Sequence, residues 1–159
     1  MSQAPVLDIL DFARQTRTLA GTFPLASLSR LVDVLADTNG TASWQLAGSL
    51  DARGRPCVRL TVQANLHLIC QRCLQPVSEP LDLDSTLRFV SEAALQDDAD
   101  DEVDELVLEA GLDILALVED ELLLALPFAP RHVSCPSALM PTSDKPLSPF
   151  AALAALKRG

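Results

Sequence analysis

Between Cys57 and Leu68 the chain alternates without a break. Val58, Leu60, Val62, Ala64, Leu66 and Leu68 hold one parity, and Arg59, Thr61, Gln63, Asn65 and His67 hold the other. A period of two sends successive side chains to opposite faces of a pleated strand, so this run requires a sheet with one dry and one wet face. Sheets of that kind are characteristically antiparallel. The flanks supply the partners. Trp44 to Asp51, with Trp44, Leu46 and Leu50 on one side, leads through the turn Asp51-Ala-Arg-Gly54 into the long strand as a hairpin. After Gln75-Pro76 the alternation resumes at Leu81, Leu83, Leu87 and Phe89, with Asp82, Asp84, Thr86 and Arg88 opposite. The pattern predicts an antiparallel meander of three strands or more, with Leu106 to Leu108 as a short addition.

Two stretches change period. From Pro24, the positions Leu25, Leu28, Leu31, Val32 and Leu35 recur at helical spacing and stop at Asn39-Gly40, which predicts a short amphipathic helix. Residues 112–126, ended by Pro127, are apolar on most sides and predict a well-buried helix central to the core. The fold class is therefore α+β: an antiparallel sheet with a few helices. A chain of 159 residues, 48% hydrophobic, suits one domain. Its bounds are expected at 1–139, followed over 140–159 by a Pro-rich linker and a short apolar and basic tail, where Phe150 to Lys157 can form one or two helical turns. The longest nearly apolar run is broken by Asp113, Glu119, Asp120 and Glu121, short of the roughly 20 clean residues of a membrane span. With no basic region followed by an apolar core near Met1, a cytoplasmic location is expected.

The net charge is -10, from 12 Lys and Arg against 22 Asp and Glu, and this excludes a coat protein that holds nucleic acid by bulk attraction. The charge is also lopsided. Residues 1–75 hold seven arginines against five acids, whereas residues 76–159 hold five basic residues against seventeen acids. Residues 91–102 read as a mobile acidic loop. Its Asp97, Asp98, Asp100, Asp101 and Glu102 are either a solvated spacer or a surface that docks a basic partner. On the wet strand face, Arg53, Arg55 and Arg59 share the parity of Gln63, Asn65 and His67, and Arg72 extends the row. Such a ridge can grip RNA locally, or be no more than the solvated side of a half-buried sheet. With one Trp, five Phe and no Tyr, platforms for stacking bases are few.

Four residues carry the spacing of metal ligands. Cys70-Gln-Arg-Cys73 and His132-Val-Ser-Cys135 are two half-sites of x2 spacing, together a Cys3His set for a tetrahedral zinc ion. Fifty-eight residues separate the halves, so the spacing leaves three readings open: one structural zinc, reduced free thiols, or a redox pair. A thioredoxin-type motif opens a helix, whereas Pro76 and a further strand follow here, which counts against the redox reading. A structural ion fits four protein ligands better than a catalytic one, since no position is left for water. Cys57 reads as a plain, semi-buried thiol. The six glycines are scattered, no phosphate loop appears, and His67 has no partners at triad spacing. No enzyme and no small-molecule substrate is expected.

The order of these motifs resembles the bacterial YceD family of large ribosomal RNA subunit accumulation proteins. The match runs through the alternating strand into Cys-x2-Cys-Leu-x-Pro, the acidic loop, the run from Asp113 to Pro127, His132-x2-Cys135 and the terminal Pro149-Phe150 to Lys157, and includes Phe23-Pro-Leu-Ala-Ser-Leu-Ser-Arg-Leu. The resemblance implies a cytoplasmic, non-enzymatic factor needed for accumulation of the 23S ribosomal RNA, acting in large-subunit synthesis or assembly. It matches Cys70, Cys73 and Cys135 to the family's thiols and His132 to its nearby histidine. The implied partners are the 23S RNA or its precursor, a basic large-subunit ribosomal protein, or both. The alternative is an acidic adaptor or chaperone that binds such a protein without touching RNA.

Overall fold

The computed structural model describes residues 6–92, 103–107 and 111–135. Within them the elements run β1 (Val6–Leu7), α1 (Ile9–Arg14), β2 (Thr18–Pro24), a single 3-10 turn (Leu25–Ser27), α2 (Ser29–Val32), β3 (Thr41–Leu50), β4 (Pro56–Ile69), β5 (Pro76–Val90), β6 (Asp104–Val107), β7 (Leu112–Asp113) and α3 (Ile114–Ala125). Strands β2-β3-β4-β5-β6 form one sheet in that order, and β1 pairs with β7 in a separate two-stranded ribbon. The α+β class and the meander are as the alternation requires. β3, β4 and β5 are its centre, with Leu46 opposite Leu60 and Val58 opposite Leu87 on one face.

That face is covered by helices. Ser85, opposite Leu60, donates its hydroxyl to Glu121 of α3 at 2.6 Å, and Phe12 of α1 presses onto Gly48 of β3. A Cβ at Gly48 would lie 2.8 Å from the Phe12 ring and carbonyl, so the close approach of helix to strand depends on the missing side chain. Phe12, Leu25, Leu28, Leu31, Leu46, Leu60, Leu66, Ile114 and Leu122 are fully buried between the two layers. The other face carries Arg59, Thr61, Gln63, Asn65 and His67, all exposed or half-exposed. Alternation alone therefore assigned both faces of β4 correctly from Val58 to Leu68, while Cys57, on the polar parity, is buried.

Several segments differ from the sequence expectation. The stretch after Pro24 is not one helix: the chain makes a 3-10 turn, breaks at Leu28 (φ -91°, ψ 85°), and makes one α-turn at Ser29–Val32. Its start has no capping side chain of its own. Glu119, reaching across from α3, accepts from the N–H groups of Arg30 (2.7 Å) and Leu31 (3.2 Å) instead. Leu35 leaves the helix altogether and bridges to Leu68. The fourth strand of the expected sequence is β6 at Asp104–Val107, and it runs parallel to β5, not antiparallel. Parallel pairing needs a return path of about a dozen residues, which 91–103 supply. The buried helix begins at Ile114 because Asp113 caps it, accepting from Leu115 N–H (2.9 Å) and Ala116 N–H (3.2 Å). Cys57 is buried rather than semi-buried. The strand β2 and the helix α1 carry no periodic signal long enough to read from the sequence. Among the described residues no helix is long and apolar enough to cross a membrane. The expected tail over 140–159, the Phe150–Lys157 turns and all of the acidic stretch Asp97 to Glu102 lie outside the described residues.

Candidate metal centre

The antiparallel register of β4 and β5 leaves residues 70–75 as the hairpin connection, and that connection is where the first two cysteines sit. It is a tight turn: Leu74 N–H donates to Cys70 C=O, and Cys70 N–H to Gln75 C=O, both at 2.9 Å. Leu74 is held at φ +59°, the left-handed region that a leucine rarely adopts. Both thiols turn inward and are buried.

The second half-site arrives from the end of α3. Pro127 stops the helix, and the chain returns along the cysteine turn, anchored where Gln71 N–H donates to Pro130 C=O at 2.9 Å. This brings His132 Nδ1 to 3.3 Å from Cys73 Sγ, and Cys135 Sγ to 3.8 Å from Cys70 Sγ. All four donor atoms lie within 4.8 Å of one another. The two half-sites do meet, across the 58 residues that separate them in sequence.

The chemistry of the set suits a divalent soft-to-borderline cation. Three sulfurs and one imidazole form a closed zinc-type set, with every position taken by protein. His132 Nε2–H donates to Pro76 C=O at 3.0 Å, a contact that fixes the tautomer and leaves the Nδ1 lone pair facing the sulfurs. Burial pushes the Cys70 thiol up, but N–H groups of Cys73, His132 and Arg72, with the His132 side chain, outweigh it and bring it down to about 5. Cys73 gains from the Gln75 N–H, yet burial and the neighbouring sulfurs of Cys70 and Cys135 raise it above the usual thiol value. Arg72 Nε–H donates to Cys135 Sγ at 2.8 Å and Nη2–H to His132 C=O at 3.2 Å. Its charge would offset the excess of negative sulfur were three thiolates to hold one dication.

The sequence pattern puts Arg72 at the end of a cationic ridge, whereas the fold places its guanidinium beside the sulfurs. The other members are spread out. Arg53 and Arg55 belong to the β3–β4 turn, where Asp51 Oδ1 accepts from both backbone N–H groups (2.9 and 2.8 Å). The Arg55 guanidinium bonds Asp51 at 2.7 Å and lies 3.8 Å from Glu105. Arg59 is on β4, its exposed guanidinium paired with Asp84 of β5. The pair raises the arginine and lowers the carboxylate, each through hydrogen bonding to the other. At the same end, buried Arg88 joins Glu105 (3.1 Å) and Asp51 (3.4 Å), which secures β6 to the sheet. Sequence reasoning missed Pro76 and Pro130, whose carbonyls orient the site, because backbone acceptors carry no residue signal. It also missed Glu119. That one had a signal: a carboxylate on the helical face of Leu115 and Leu122 calls for a buried partner.

Fold and site together define a class: a two-layer α+β protein whose loop end gathers a closed four-donor cluster of the structural kind. The sequence profile of the large ribosomal RNA subunit accumulation protein YceD matches residues 58–157, which take in most of β4, strands β5 and β6, the buried helix and all four donors. The Large ribosomal RNA subunit accumulation protein YceD of Haemophilus influenzae (strain ATCC 51907 / DSM 11121 / KW20 / Rd) is 31% identical over 167 residues, covering 96% of this chain and 94% of the relative. The chain belongs to the YceD family. No solved structure matches it.

Proposed function

We propose that this chain is a non-enzymatic cytoplasmic factor for accumulation of the large-subunit ribosomal RNA, acting in synthesis or assembly of that subunit. One observation carries the reading: the family match extends along nearly the whole chain, not a shared fragment. The character of the candidate site supports it. A set of four protein donors has no vacancy for a substrate or an activated water, so an ion there would brace the fold and not perform chemistry. In this reading Cys70, Cys73, His132 and Cys135 hold one structural zinc, which clamps the segment after α3 onto the β4–β5 turn.

RNA contact through Arg53, Arg55, Arg59 and Arg72 is the first form of the proposal. A second has its own observation, the seventeen acids of residues 76–159: here Asp97, Asp98, Asp100, Asp101 and Glu102 hold a basic large-subunit protein. The test of function is replacement. In a bacterium depleted of its own family member, this chain should restore the ratio of large- to small-subunit ribosomal RNA. Failure to do so, with the protein present at normal level, refutes the proposal.

A further inference from the structure

Arg131 is the cation of the loop end that no partner holds among the described residues. Arg30, Arg55, Arg59 and Arg88 are each bonded to a carboxylate, whereas Arg131 is exposed and has no ion pair among the described residues. Residues 69–76 and 126–135 contain Arg72 and Arg131 and no acid at all, in a chain with 22 acids. With Arg72 turned to the Cys135 sulfur, Arg131 is the charge that this acid-free stretch presents to solvent.

The same stretch exposes apolar groups that the core does not take. Phe12 and Phe89 are buried, but Phe128 is 105% exposed, its ring clear of the body. The backbone beneath it is not slack: prolines flank it at 127 and 130, and Pro130 C=O is bonded to the cysteine turn. Val133 (106%) and Leu74 (68%) are exposed beside the ligand residues. A free aromatic ring three residues from an unpaired guanidinium, both on a braced loop, is the equipment for holding an unstacked base and its phosphate. A basic ribosomal protein is disfavoured here by like charge.

We propose that Phe128 and Arg131 form a contact for a single-stranded segment of RNA, with the Phe128 ring stacked on a base and Arg131 on a neighbouring phosphate. The proposal rests on the reading of the chain as a ribosomal RNA factor and gives that reading a surface other than the paired arginines of the β3–β4 end.

The test is fluorescence anisotropy with the purified full chain and a labelled, unstructured oligoribonucleotide, alongside a duplex of the same sequence. Loss of one stacked base predicts that Phe128→Ala weakens binding by roughly 5- to 150-fold, while Phe128→Tyr stays close to the parent. Arg131→Ser should lower the slope of log affinity against log salt by about 0.7, the value for one phosphate on a single strand. Because both side chains are exposed, circular dichroism and metal content should not change. The proposal is overturned if Phe128→Ala binds like the parent, if Phe128→Tyr is as weak as Phe128→Ala, or if the duplex is preferred. It is also overturned if the variants keep RNA and lose a large-subunit protein instead, which would make this a protein-docking surface. None of these results touches the replacement experiment: a chain that restores ribosomal RNA with Phe128→Ala in place keeps its function and loses only this contact.

Discussion

Replacing Glu119 by alanine should be among the most damaging single changes in the protein. The Glu119 side chain is 5% exposed, and its carboxylate accepts three bonds, from Arg30 N–H, Leu31 N–H and Arg30 Nε–H at 2.7, 3.2 and 2.9 Å. Two of those donors are the open end of α2, which has no capping group of its own. Hydrogen bonds to a charged acceptor are worth about 1.5–3 kcal/mol each, and breaking a buried pair from one side costs about 3–5 kcal/mol. Arg30 is half exposed and recovers water, so the lower bonds of the sum do not all count. The expected loss is about 3–5 kcal/mol for Glu119→Ala, and about 1–3 for Glu119→Gln, which keeps the shape and one acceptor. Urea denaturation followed by circular dichroism measures this directly. A loss below about 1 kcal/mol for Glu119→Ala would refute the view that the carboxylate substitutes for a helix cap. The pH dependence gives a second check. Burial pushes the Glu119 carboxyl up, but Arg30 and the two N–H groups outweigh it and hold it below its ordinary value of 4.5. A depressed folded value means stability that is complete above the ordinary value and is lost as pH falls through the folded one. The gap between the parent and Glu119→Gln should therefore close on acidification below about pH 4.5.

Elemental analysis of the untagged protein should find one zinc per chain, and a strong chelator should collapse its melting temperature, since structural zinc contributes on the order of 10 kcal/mol to folding; a metal-free protein of unchanged stability refutes the site. Gly48→Ala should cost about 1–3 kcal/mol in the same urea assay, because the new methyl meets the Phe12 ring and carbonyl at 2.8 Å, and an unchanged midpoint would show that α1 moves freely. Leu74→Gly relieves a left-handed leucine (φ +59°) and should stabilise the metal-loaded chain or leave it level, within about 1 kcal/mol; clear destabilisation would mean that the exposed leucine is held by contacts.

The strand Pro56–Ile69 was legible in the sequence because burial on one side of a sheet writes a period of two directly into residue order, whereas Arg88, read onto the wet face of β5, is buried, and Leu50, read onto the apolar side of β3, is exposed. The helix Ile114–Ala125 was legible from its apolar run and its terminating Pro127. Short elements were not. Ser29–Val32 makes a single turn whose start is satisfied by Glu119, a residue 89 positions from Arg30, and no local pattern reports such a partner. The direction of Asp104–Val107 was equally hidden: four residues have no polarity signal, and the parallel pairing follows from the path of the chain. Arg72 had the right residue type for a cationic ridge and the wrong neighbours, since its guanidinium meets Cys135.

The sequence by itself determined which residues are chemically equipped: three thiols and an imidazole in two x2 pairs, a sheet with one dry face, and a charge concentrated in the second half. Those properties are local, written in composition and in spacings of two to four residues. Only the tertiary structure decided that the pairs share one site. A bond from Gln71 N–H to Pro130 C=O and another from His132 Nε2–H to Pro76 C=O bring the halves together, and both depend on backbone carbonyls that every residue possesses. It likewise decided which cations are committed to carboxylates and which, like Arg131, face solvent, because pairing between distant segments is a matter of distance in the folded chain and leaves no mark on residue order.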